Sequence, residues 1–165
     1  MIKLKPPPWL NVILLVLGST ALYTYIGQLV PQKQVLPPQE TVMRADMTTD
    51  DLVQVGRQIA EGKALCLTCH TIGKSGVLRF PDLEGIATRA GDRVPGLDSL
   101  HYMARSIYHP DEYIVPGFTK GMPVIDKPPI GLNDQEIVAV IAFLQSLGGT
   151  PSVTLETTRA DLGVE

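Results

Sequence analysis

Cys66-Leu67-Thr68-Cys69-His70 decides how this chain is read, and it holds the only two cysteines among 165 residues. Three chemistries use closely spaced cysteines. A thioredoxin-type redox pair needs a strand–helix–strand setting, and the flanking sequence shows none. A structural zinc site needs two further ligands, and His101 and His109 lie too far along the chain for a standard spacing. Covalent haem attachment needs two thiols that reach two vinyl groups and an imidazole that reaches iron. Cysteines three apart share one face of a helical turn, and a histidine directly after the second lies on the same turn. The motif therefore implies one covalent haem (heme c), with Cys66 and Cys69 as its anchors and His70 as an iron ligand.

Upstream, Trp9 to Val30 contains no charged residue. Its 22 residues would rise roughly 33 Å as a helix, enough to cross a hydrocarbon core of about 30 Å. Trp9 stands at one end, and Tyr23 and Tyr25 approach the other, where interfacial aromatics are favoured. Ser19-Thr20-Ala21 would pass as a weak signal-peptide cleavage site. The apolar run continues past it to Val30, which favours a retained anchor in the lipid bilayer. Lys3 and Lys5 precede the span, so the positive-inside rule places the N-terminus in the cytoplasm. Everything after Val30 is then expected on the periplasmic side of the cytoplasmic membrane, where covalent haem is attached.

From Pro31 to Met47 the chain is rich in proline and lacks apolar periodicity, so it reads as an extended tether. A helix is expected from Thr48 or Thr49, with Asp50 and Asp51 in its first turn and Leu52, Val55, Ile59 and Ala60 on one stripe. Gly73 to Pro95 reads as loop with at most one short helical turn. Leu97 to Tyr108 has Leu100, Ala104 and Ile107 at helical spacing, with Asp98 or Ser99 as cap and Pro110 as terminator. Glu112 to Gly131 carries too many prolines and glycines for long regular structure. The last helix is capped by Asn133, has Ile137, Val138, Ile141, Phe143 and Leu144 on its apolar face, and stops at Gly148. A polar tail of sixteen residues follows Gly149. The expectation is an all-α domain over 48–148, preceded by one transmembrane helix (1–30) and a tether (31–47), and followed by an extended tail (149–165).

Composition bounds the partners. From Pro31 onward, 12 basic residues face 17 acidic ones, a net −5. That balance argues against nucleic acid, which needs a basic face, and against electrostatic clinging to anionic lipid. Only 5% of residues are aromatic, so a domain of this size needs another large apolar body in its core. A haem is such a body.

Beyond the haem motif, several residues in order resemble the class I c-type cytochromes over roughly Thr49 to Leu147. Gly56 stands in the first helix and Phe143 in the last, where the family places a small residue and an aromatic that let two helices cross closely. Pro81-Asp82-Leu83-Glu84-Gly85 is similar to the family's proline segment. The resemblance implies that the Pro81 carbonyl accepts a hydrogen bond from the His70 imidazole and so makes it a better donor to iron. Lys120-Gly121-Met122-Pro123 is similar to the distal-ligand loop, with Met122 giving its thioether to iron. The stretch from Pro110 to Gly131 departs from the family in length, so its other residues are not mapped. The alternatives for the sixth position are His109, His101 or an open site. Arg79, Arg89, Arg93 and Arg105 are candidates for haem propionates, and Lys63, Lys74 and Lys120 for guiding a partner.

His/Met ligation fills both axial positions and raises the reduction potential relative to bis-His ligation, which implies outer-sphere electron transfer rather than catalysis. The expected setting is a subunit of a respiratory or photosynthetic quinol-oxidising membrane complex. The partners would be other membrane-embedded redox subunits, with a soluble electron carrier or terminal oxidase downstream. The architecture is similar to the monohaem cytochrome subunit of alternative complex III. A tethered shuttle, swinging on about 17 residues that span roughly 50 Å when extended, and a ligand-binding haem enzyme or sensor are the competing expectations.

Overall fold

The computed structural model describes residues 7–30 and 43–164. These fall into two compact units, each considered by itself. The first is helix α1, Pro8–Leu29, with Pro8 in its first turn, where a missing N–H costs nothing. Its 22 residues carry no charge and none is buried. By length and composition this helix is able to cross a membrane. Lys3, Lys5 and residues 31–42 of the expected tether lie outside the described residues. Met43 already packs on the core of the second unit, so the ordered domain begins ahead of the expected Thr48.

The second unit is all-helical, with no strand among the described residues. Helix α2 (Thr49–Glu61) starts at a capping box: the Thr48 hydroxyl accepts from the Asp51 N–H, and the Asp51 carboxylate accepts from the Thr48 N–H. A four-residue helix α3 (Cys66–Cys69) follows, then α4 (Ile86–Arg89), continued by a 3-10 turn at Ala90–Asp92. Helix α5 (Ser99–Tyr108) is capped by Asp98. Helix α6 (Asp134–Ser146) opens on a second capping box, in which Asn133 and Glu136 satisfy each other's backbone N–H groups.

The principal helix pair is α2 against α6. Gly56 makes that crossing possible: a Cβ built there would lie 1.8 Å from the Ala139 carbonyl oxygen. The close approach is thus to backbone at Ala139, with the buried Phe143 one turn further along α6. Leu52 and Ile59 from α2, Ala104 and Ile107 from α5, and Ile137, Val138 and Ile141 from α6 form one core.

The tail departs from expectation. Residues after Gly149 form neither helix nor strand, yet Val153, Leu162 and Val164 are buried in the same core as α2, α5 and α6. Sixteen polar-looking residues hide three apolar ones at irregular spacing, which no periodicity test detects. The described part of the tail therefore packs on its own domain.

Candidate functional site

The segment that carries the cysteines is held at both ends. Before it, Lys63 donates to both carboxylate oxygens of Glu136 at 2.8 Å. Glu136 is 5% exposed and also caps α6, so one buried carboxylate joins the haem-motif turn to the last helix. Leu65 then adopts φ 56°, a left-handed conformation that a leucine takes only when its surroundings impose it. The chain is thereby turned into α3, where Cys66 is half-buried and Cys69 exposed. Burial pushes the Cys66 thiol up to about 11, with Cys69 nearby adding to the rise.

After the motif, His70 Nδ1 lies 2.7 Å from the Pro81 carbonyl oxygen. A carbonyl only accepts, so Nδ1 carries the proton and Nε2 keeps its lone pair for a metal. Asp82 secures this arrangement. Its carboxylate accepts from the Thr71 hydroxyl at 2.6 Å and from the N–H groups of Gly73, Lys74 and Glu84 at 2.8–3.0 Å. These bonds, led by the Thr71 hydroxyl, hold the Asp82 carboxyl far below the usual carboxylate range. A carboxyl depressed on folding stabilises above its unfolded pKa of about 4, and that contribution is lost as pH falls toward the folded value. Asp82→Asn should therefore unfold more easily than the parent at pH 7, with the gap closing below about pH 4. Denaturant melts at both pH values check this; a gap indifferent to pH would rule out the carboxylate as its source.

Beside the motif is an apolar cavity of about 300 Å³. Cys66, Cys69, His70, Pro81 and Met122, the five residues singled out from sequence, all line it. Residues more than fifty positions apart are thus brought to one enclosure. Of the four arginines considered for propionates, Arg93 alone lines the cavity, donating to the Tyr102 hydroxyl at 3.3 Å. The Arg89 guanidinium donates to the carbonyls of Asp82 and Glu84, Arg105 pairs with Glu112, and Arg79 lies over the Phe80 ring. His101 is bonded to Asp98 and His109 forms the C-terminal cap of α5; neither lines the cavity.

The loop between α5 and α6 contributes more than the sequence revealed. Tyr113, Ile114, Phe118 and Ile125 also line the cavity. Their only signal was being large and apolar in a Gly/Pro loop where solubility would favour polar residues.

This donor set fits a covalent haem: two unbridged thiols one turn apart, an imidazole with its far nitrogen free, a thioether, and an apolar enclosure around them. Comparison with curated proteins gave no match. The cytochrome c family model matches residues 53–148, more than half of the chain, from within α2 to just beyond the end of α6. The chain belongs to the cytochrome c family and is a class I c-type cytochrome, a haem protein that transfers electrons.

Proposed function

We propose that the chain is a membrane-anchored monohaem cytochrome, with His70 and Met122 as axial ligands, that passes single electrons within a quinol-oxidising membrane complex. The observation that carries it is that His70 and Met122 line one apolar cavity together with both cysteines. When bound, the haem supplies a one-electron couple. Cys66 and Cys69 hold it in place, and His70, oriented by the Pro81 carbonyl, donates through Nε2. Met122, on the same cavity, would supply a thioether to the iron and so keep oxygen and other small ligands from it. The apolar lining keeps water from the iron, and Arg93 is positioned to meet a propionate. The length and composition of helix α1 support membrane anchoring, and Lys3 and Lys5 ahead of it favour a haem domain on the periplasmic side.

Met122→Ala should leave the haem attached, lower its potential by on the order of 100 mV or more, and open iron to carbon monoxide. Redox titration and ferrous spectra under carbon monoxide check this. A parent-like potential would remove Met122 from iron. Prompt, complete carbon monoxide binding by the parent itself would favour a ligand-binding enzyme or sensor instead.

One observation favours the tethered shuttle as the second reading: through Val153, Leu162 and Val164 the described part of the tail packs on its own domain. Mild solubilisation of native membranes, followed by capture through a C-terminal tag, separates the two. A stoichiometric set of redox subunits with quinol-oxidising activity supports the fixed subunit. Recovery of the holoprotein alone, quickly reduced by added quinol-oxidising complex, supports the shuttle.

A further inference from the structure

The C-terminal segment lies beyond the family match and is built like a strap. Gln145 turns it back onto the domain, its amide donating to the Ser152 hydroxyl and accepting from the Ser152 N–H, both at 2.9 Å. Val153, Leu162 and Val164 then anchor it in the core. Between these anchors, Arg159 reaches three separate parts of the domain. Its guanidinium lies 4.7 Å from the centroid of the Tyr108 ring on α5. Its Nε and Nη2 contact Asp134 Oδ1 at the start of α6, at 2.8 and 2.7 Å, and the Tyr108 hydroxyl donates to the same oxygen. Its Nη2 also lies 3.7 Å from Asp126 Oδ2.

The third contact bears on the haem site. Asp126 follows Met122 by four residues, and its side chain is only 8% exposed. Its other carboxylate oxygen is buried without a hydrogen-bond partner. Among the described residues Arg159 is the cation within ion-pair range of that nearly buried charge, and losing it would leave the charge uncompensated, a state the loop escapes by moving toward water. Met122, Asp126, Arg159 and Val164 line one shared pocket, so the strap, the loop and the thioether residue are neighbours.

We infer that residues 149–164 are an intramolecular strap whose Arg159, acting through Asp126, holds the Met122 loop closed and sets how readily the sixth iron position is yielded to a competing ligand. Arg159 is a positioning residue, and the inference rests on Met122 as the sixth ligand. The exchange it governs is ligand substitution: the thioether leaves iron and an imidazole nitrogen takes its place, with no change in oxidation state.

The test uses the full-length ferric holoprotein in detergent, titrated with imidazole while the thioether-to-iron charge-transfer band is followed. Arg159→Gln should bind imidazole about tenfold more tightly than the parent, and Arg159→Lys should recover part of the difference. In an Asp126→Asn background, which has no buried charge to release, Arg159→Gln should change the affinity less than about twofold. Parent-like affinity in Arg159→Gln overturns the inference, as does an equal effect in both backgrounds. Should Arg159→Gln not accumulate, Arg159→Met, which also removes the cation while keeping most of the side chain's length, carries the same comparison, and a parent-like affinity there is equally fatal. A parent without the charge-transfer band would overturn Met122 as ligand, and the strap's role with it, which is a distinguishable result.

Discussion

His70→Ala is expected to leave no stable holoprotein. The imidazole has two roles in this geometry. Its Nδ1–H donates to the Pro81 carbonyl at 2.7 Å, which leaves Nε2 for the proposed bond to iron. Alanine removes the proposed iron donor and orphans the half-buried carbonyl together. No other residue on that side of the cavity replaces it, because His101 is engaged with Asp98 and His109 terminates α5 outside the lining. With few aromatics in the domain, the haem is also core material, so its loss should reduce the amount of folded protein and not only its colour. Haem content per protein in purified membranes, set beside His109→Ala, checks this. A His70→Ala protein that accumulates with a parent-like spectrum and haem content would remove His70 from the iron.

Gly56→Ala carries the next largest effect. In an exposed helix interior this change would stabilise by up to about 1 kcal/mol through helix propensity. Here the added methyl would lie 1.8 Å from the Ala139 carbonyl oxygen and 2.4 Å from its carbon. Both are backbone atoms of a helix and cannot rotate away, so α2 and α6 must separate. That separation opens the core around Leu52, Ile59 and Ile141. Overpacking costs about 1–3 kcal/mol where side chains can yield, and more where backbone must. The steric term therefore wins, and a net loss of at least about 3 kcal/mol is expected. Denaturant unfolding of the holoprotein measures it. Stability within about 0.5 kcal/mol of the parent would mean that the helices do not meet at Gly56.

Local chemistry made much of this protein legible in its sequence. Thr48, Asp98 and Asn133 are caps because their side-chain oxygens satisfy backbone N–H groups a turn away: Asn133 caps as expected, and the structure chooses Thr48 over Thr49 and Asp98 over Ser99. The apolar length of α1 and the Cys66-to-His70 spacing are likewise properties of neighbours along the chain. Tertiary structure decided what depends on distant segments meeting. Only folding shows that Gly56 faces Ala139, that Arg93 borders the cavity while Arg89 and Arg105 are engaged elsewhere, and that Tyr113 and Phe118 line it. The tail shows the difference most clearly. Val153, Leu162 and Val164 have no periodicity to betray them, and Arg159 looks like any solvated surface charge. The valines and leucine enter the core, and Arg159 meets Tyr108, Asp126 and Asp134, 25 to 51 positions earlier in the chain. A sequence displays interactions over one turn of helix directly, whereas contacts across that separation exist only once the chain has closed on itself.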